Sequence, residues 1–406
     1  MINISLKGSQ EVNSILKINI KVLALTIIFF SLIEPDYFTS IEIIHLIYIG
    51  MRFVMLLIAL LFCYTKKHLP KITFVITLYF IIYGYATYNN DGNLFNLFNY
   101  SMSIISFVIW IEIILKNNPL PGLQSLNIVY SSLVYLNLLF FIVFPEGYMQ
   151  TLTSRGEFVN RYFLGIYNQF AATLIPAIIV NVIYVHLRYA RIKLQTLILI
   201  GVSLFTFVYF WSATSLVGVS LIIIYLILFR KSILNKLVKL KVIFPIMIGI
   251  YLIIVVLDRI GIFSFIIEKL LNKDVTLSTR TIIWDAAIEM IKMSPYFGYG
   301  YLGDGGKYIV FSAVNQKDAH NTLFQLMLQH GILGLIPLII LLIFFIKSMA
   351  KSNKSFIGKF VLYSFFVATT MMINEVYSFK FILLILMLGI FAPYIIKEQE
   401  KLLNKD

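Results

Sequence analysis

The sequence predicts an all-α, polytopic integral membrane protein of about twelve transmembrane helices with one large structured extracytoplasmic loop. Three observations carry that prediction. Hydrophobic residues make up 60% of the 406 positions and charged residues 13%, at a mean hydropathy of +0.90. A water-soluble domain has nowhere to bury that much apolar surface. Apolar runs of spanning length recur along the chain, and the basic residues gather in alternate connections between them.

The runs fall near 18–34, 42–64, 71–88, 94–115, 125–145, 162–186, 195–211, 213–229, 240–257, 331–347, 356–374 and 376–396. The least marked boundary lies between the seventh and eighth, where only WSAT intervenes. No cleavage site follows the first run, which therefore reads as a retained span rather than a signal peptide. The connections TKKHLPK (65–71), HLRYARIK (186–193), RKSILNKLVKLK (230–241) and KSMAKSNKSFIGK (347–359) are basic, as is the tail from Lys397. With Lys7, Lys17, Lys21 and Lys116 they hold 22 of the 33 Lys and Arg. The positive-inside rule then puts both termini in the cytoplasm and makes this a multi-pass protein of the cytoplasmic membrane. The net charge of +14 is topology on this reading, and no nucleic-acid partner is expected. Cys63, the single cysteine, lies within an apolar run and reads as a packing residue. Residues 1–406 read as a single membrane domain without internal repeats.

Two outward connections are long. One is PEGYMQTLTSRGEFVNR (145–161); the other, 258–330, exceeds the length at which a loop is usually functional or a small domain. Within it, STRTIIWDAAIEMIKMSP has the pattern of an amphipathic helix that starts near Ser278 and is stopped by Pro295. Asp318 is a good N-cap, which puts His320 and Asn321 in the first turn of the next helix, and Gly331 reads as a helix stop. A helix N-terminus disfavours imidazolium, so His320 suits a general base or a partner for a sugar hydroxyl. The competing reading is a histidine that only caps or packs. His330, beside Gly331, reads as a C-cap residue.

Arg280, in the first turn of its helix, works against the helix dipole unless an anion sits there, and phosphate or pyrophosphate is the obvious guest. Arg155 and Arg161 are outward arginines, unusual under the positive-inside bias, and Asn168 follows at the membrane entrance. A solvated arginine and a helix-bonding asparagine are the bland alternatives. Arg52 lies about ten residues into the second span, where a lone cation costs roughly 2.5–3.5 kcal/mol on insertion scales. It needs a partner, a wet cavity or an anionic ligand. GYGYLG (298–303) matches G-x-G-x-x-G, but without a preceding strand it reads as a tight turn. Tyr296, Tyr299, Tyr301 and Tyr308 offer faces on which a sugar ring could stack, against the competing reading that they are purely structural. No outward connection holds a D-x-D triplet, so neither a metal nor a cofactor is expected.

STRTIIWDAAIEMIKMSPYFGYGYLG followed by DAHNTLFQLMLQHGILGLIPLII resembles the shared core of the O-antigen ligase/polymerase superfamily, including its Wzy-type polysaccharide polymerases. That core has an Arg and Trp opening a loop helix, then a Pro and a G-x-G, then His-Asn before a Gly-rich span. The resemblance covers roughly 278–340, and RGEFVNRYFLGIYNQFA looks like the family's earlier arginine-bearing loop. WSATSLVGVSL (211–221) departs from it: many relatives carry an Arg after the Ser, where Ala213 and Thr214 stand here.

The resemblance implies a metal-independent glycosyltransferase that moves glycans from undecaprenyl pyrophosphate at the outer face of the membrane. It would be a polymerase adding a lipid-linked chain to the next repeat unit, or a ligase passing the chain to another acceptor. His320 and Arg280 take the catalytic roles. Arg155, Arg161, Asn168, Asn321, Arg52, Trp284 and Tyr299 take substrate-binding roles. A chain-length regulator and a flippase of the same pathway are the implied protein partners, beside the lipid bilayer. The Ile-, Lys- and Asn-rich composition points to an AT-rich, Gram-positive source and so to a capsular or exopolysaccharide polymerase. Two other classes compete: a polysaccharide flippase or secondary transporter, and a polyprenyl-phosphate glycosyltransferase that uses Asp36 of EPDYF as its carboxylate.

Overall fold

A computed structural model describes residues 19–67, 70–152, 158–230, 233–257, 276–301 and 318–404; in 256–281 the side chains lie outside the description. The helices are α1 (Ile20–Leu32), α2 (Asp36–Thr39), α3 (Glu42–Thr65), α4 (Lys71–Asn89), α5 (Leu94–Asn117), α6 (Pro119–Val143), α7 (Ala171–Tyr189) and α8 (Leu194–Tyr209). They continue as α9 (Ala213–Ile224), α10 (Leu240–Leu257), α11 (Thr276–Met293), α12 (Thr322–Ser352), α13 (Phe356–Met372), α14 (Phe379–Ile390) and α15 (Ala392–Leu403).

Each of the twelve apolar runs falls on helix, but not every run makes a full span. Among the described residues six helices are long and apolar enough to cross a membrane, and a seventh crossing counts if α14 and α15, bent by 55°, act as one. Five others, including α1, α8 and α13, are apolar but shorter. The weak boundary at WSAT is a genuine reversal. Trp211 takes a left-handed φ of 47°, and its N–H and that of Ser212 return to the carbonyls of Val208 and Phe207. That is the bonding of a Schellman stop with tryptophan where glycine is usual. The all-α expectation needs one addition. Met149–Leu152 (β1) and Phe158–Arg161 (β2) pair antiparallel, with Met149 opposite Arg161. These strands are only four residues each, MQTL and FVNR, too short and too mixed to register as apolar runs or as a period-two pattern.

The interior is packed around α7, whose Ile175, Ala177, Ile178, Ile179 and Val180 are all fully buried. By contrast α3 exposes Ile43, Leu46, Ile47 and Leu61, a surface suited to lipid. Helix ends sort into two mutually contacting sets. At one end Lys21 bonds Asn118, Gln399 bonds the His186 carbonyl, and Arg230 lies over Phe356. The Glu112 carboxylate there accepts from the Thr73 N–H and hydroxyl, giving α4 a cap from another helix. At the opposite end Tyr37 bonds Phe163, Asn93 bonds Tyr301 and Thr322 bonds Glu375. The basic connections lie at the first end, in the alternation that the sequence predicts.

Candidate functional site

The entrance to α12 is built by Asn321, not by Asp318 as the sequence suggests. Asn321 has extended backbone angles (φ −151°, ψ 119°), and its Oδ1 accepts from the N–H groups of Leu323 and Phe324 at 3.0 and 3.2 Å. Asn and Asp cap equally well, so the choice falls to backbone geometry. Asp318 instead accepts the His320 N–H at 2.9 Å and holds His320 outside the helix in a left-handed conformation, φ 45°. Such a φ is uncommon for a residue other than glycine and is often found at functional positions.

The His320 ring lies with Nδ1 3.6 Å from Asp318 Oδ1 and 3.9 Å from Glu375 Oε2. Glu375, in the connection before α14, is fixed there by its own carbonyl, which accepts the Thr322 hydroxyl at 2.8 Å. Both separations exceed a hydrogen bond; a proton on Nδ1, toward these carboxylates, would leave Nε2 able to accept one. The side chain is 24% exposed, so a substrate hydroxyl can reach it. Asn321 is fully buried, with the Tyr251 side chain of α10 beside it; its role here is structural, closing the helix end beneath the histidine.

Helix α11 docks against this entrance. Ile283, Ala287 and Ile291 pack with Ala319 and Leu328, and the Trp284 ring meets Phe324 edge-on at 6.2 Å. Trp284 is 1% exposed. Its indole is therefore a packing group here and not an open stacking face, although its buried N–H makes no hydrogen bond among the described residues. The backbone of Arg280 lies in α11, one turn before Trp284; its side chain is outside the described residues. Because α11 starts at Thr276 rather than Ser278, Arg280 is its fifth residue, past the first turn where the dipole argument placed it. The Tyr299 hydroxyl donates to the Met290 carbonyl at 2.9 Å, and burial pushes the phenol up, so it remains a donor. Tyr299 thus ties the turn to α11.

The glycine motif explains itself here. Gly331 is not a stop but a break inside α12 (φ 59°, ψ −166°) that is bridged by residues 295–300. An unbroken helix would bond Ile332 to Leu328 and Leu333 to Gln329. Instead Ile332 and Leu333 donate to the carbonyls of Pro295 and Tyr296, while the Leu328 and Gln329 carbonyls accept from Tyr299 and Gly300. All four orphaned groups are satisfied, as burial demands. His330, 1% exposed, closes the break: its Nδ1 contacts the Leu326 carbonyl at 3.0 Å and its ring packs on Tyr79 and Tyr83.

Two further clusters involve residues marked in the sequence. The acids of EPDYF each hold one arginine. Asp36 takes both the Nε (3.0 Å) and the Nη2 of Arg161, with Tyr148 on the same carboxylate at 3.4 Å. Glu34 takes Arg52 Nη2 and lies 2.9 Å from His45 Nδ1. The fork of Arg161 that the sequence offers to a phosphate is occupied by Asp36, and Arg52 has the partner that its depth requires. Asn168 lies in the 3₁₀ turn Tyr167–Gln169, and its Oδ1 makes no hydrogen bond among the described residues. Arg155 and Tyr308 lie outside the described residues. Sequence reasoning missed Glu34, Glu112, Glu375 and Lys380. The signal available was an acid or amine at the edge of, or inside, an apolar run. Among the described residues no group of three or more His, Cys, Asp and Glu is placed to hold a metal ion.

Fold and site together define an α-helical membrane protein with a histidine–carboxylate site at one end of its bundle. Residues 198–339, about a third of the chain, match the O-antigen ligase family. The match spans α9, α10, α11, His320 and the break at Gly331, and leaves out Arg52, Arg161, Asn168, Glu375 and Lys380. It supports the O-antigen ligase superfamily, whose members are glycosyltransferase-like enzymes acting on lipid-linked glycans, without separating polymerase from ligase. No curated protein matches the chain.

Proposed function

We propose that the chain is a glycan polymerase that joins undecaprenyl-pyrophosphate-linked repeat units at the outer face of the cytoplasmic membrane, with both termini inside. The observation that carries the reading is His320, held outside the α12 entrance with its Nδ1 side toward Asp318 and Glu375. In this reading the acceptor hydroxyl gives its proton to His320 Nε2 as its oxygen bonds to the anomeric carbon of the donor. The bond from that carbon to the pyrophosphate oxygen breaks, and the lipid pyrophosphate departs with the electron pair. Arg280, on the helix packed beside the entrance, stabilises the charge growing on it. A base in that position contributes roughly 10²–10⁴-fold. Asp36, held by Arg161, is a structural acid in this scheme, which disfavours the carboxylate-based alternative.

A second reading, a ligase passing the chain to a different acceptor, is equally compatible with the family match. Purified protein supplied only with lipid-linked repeat units separates the two. A ladder of polymer from wild type and none from His320→Ala supports the polymerase. Wild-type ladders from His320→Ala would remove the histidine from the mechanism. Absence of polymer until a second acceptor is added would favour the ligase. Glycan transfer in detergent, with no gradient to drive transport, would exclude a flippase or transporter as the sole activity.

A further inference from the structure

Lys380 is a charge within the helices that the mechanism does not use. It is the second residue of α14, and its ammonium donates to two neutral acceptors, the Leu32 carbonyl and the Ser103 hydroxyl at 2.6 Å. The charged groups acting on it are Arg52 and Glu34. Arg52, 7% exposed, spends one nitrogen on Glu34 and faces Asn99 Oδ1 at 3.4 Å with another; its Nε–H has no hydrogen-bond partner among the described residues. Glu34 is shared between Arg52 and His45. Two cations therefore face one carboxylate, with a buried donor left over.

Intramembrane ionisable residues pair with one another or with backbone carbonyls, as Lys380 does with Leu32, and they also line water-filled cavities and mark substrate paths. The spare donors here come from different helices, α3 and α14, and belong to a guanidinium and an ammonium. A ligand that meets both must present several anionic oxygens, as a phosphate group does. Lys380 and Asn99 are only partly buried, so the cluster is not sealed. The connection that brings Glu375 to His320 leads to Lys380 five residues later. At ~3.3–3.6 Å per residue, their Cα atoms are no more than about 18 Å apart.

We propose that Arg52 and Lys380 form a diphosphate-binding site within the helical bundle, serving a lipid-linked substrate of the reaction at His320. This rests on the glycan-transfer reading, and it assigns a phosphate contact to Lys380, on a helix outside the family-matched region.

The test uses the purified full chain in detergent, with geranylgeranyl diphosphate and inorganic pyrophosphate as probes. The variants are Lys380→Met, which removes the ammonium, and Asn99→Asp, which puts an isosteric carboxylate beside Arg52. Both variants are expected to weaken diphosphate binding at least tenfold, and Asn99→Asp to do so while raising the melting temperature. Tighter binding of the lipid than of pyrophosphate assigns the site to a lipid headgroup, and equal binding assigns it to free diphosphate; either supports the site. If Asn99→Asp raises the melting temperature and leaves binding unchanged, the cluster is only structural and the proposal falls. Binding that depends on Lys380 in a protein that makes no polymer would sink the transfer reading and keep the site. Polymer formation with unaltered binding in both variants would do the reverse.

Discussion

Tyr299 donates its backbone N–H to the Leu328 carbonyl at 2.7 Å, replacing a bond that α12 loses at Gly331. The repair needs a glycine at the break. Gly331 has angles open essentially to glycine alone, and a Cβ there would overlap the Tyr296 carbonyl group. Gly331→Ala should therefore cost more than the ~1–3 kcal/mol of backbone strain by itself, read as a large fall in melting temperature in detergent. Gly201→Ala, with open space around the new methyl group, should be neutral or slightly stabilising, since alanine is the better helix former.

Glu375 is predicted to position His320 without replacing it. Glu375→Gln should lower kcat by part of the roughly 10²–10⁴-fold that the base supplies, and His320→Ala should remove all of it. KM for the lipid-linked repeat unit should change little in Glu375→Gln, because the carboxylate orients the ring rather than the substrate. A raised KM at constant kcat would assign Glu375 to binding instead.

The Asp36–Arg161 pair is partly buried and bidentate. Asp36→Asn should lower stability by about 1.5–3 kcal/mol, the range for hydrogen bonds to charged groups, while polymer formation per folded molecule stays near wild type. Loss of polymer from well-folded Asp36→Asn would revive the carboxylate-based alternative.

Glu34 and Arg52 are a buried pair, and removing one partner strands the other. Glu34→Gln should cost about 3–5 kcal/mol. Replacing both, as Glu34→Leu with Arg52→Met, should recover part of that, because the guanidinium leaves together with its carboxylate, although Lys380 loses a counter-charge. A thermal-melt double-mutant cycle reads the difference.

Sidedness is open to cysteine labelling. In a background with Cys63 replaced by Ala, Tyr296→Cys should react with an impermeant maleimide on intact cells. Lys354→Cys, at the basic end, should react only after lysis. Both side chains are exposed, so the reverse pattern would invert the topology.

Much of the helical framework was legible because hydropathy and charge alternation are local signals. The helix ending before Pro295 and the histidine at the next helix entrance were legible for the same reason. The cap was misassigned because Asp318 and Asn321 are chemically equivalent candidates, and only the backbone angles decide. Gly331 looked like an end because a left-handed glycine usually is one; its continuation depends on residues 295–300 supplying the missing partners. Lys380 was invisible because one lysine hardly lowers the hydropathy of the run KFILLILML. The pairing of Asp36 with Arg161 joins positions 125 apart, beyond any periodicity.

The bridge at Gly331 also limits how this chain can be recombined with relatives. A Cβ on Gly298 would meet the Leu328 carbonyl and the N–H of Gly331, and one on Gly331 would meet Tyr296. Neither glycine can drift while the other stays, and the four exchanged hydrogen bonds require both strands of the repair at once. In a library of chimaeras, crossovers between positions 295 and 333 should yield few folded products. Crossovers outside that interval inherit the bridge intact from one parent, so it travels as a single heritable block.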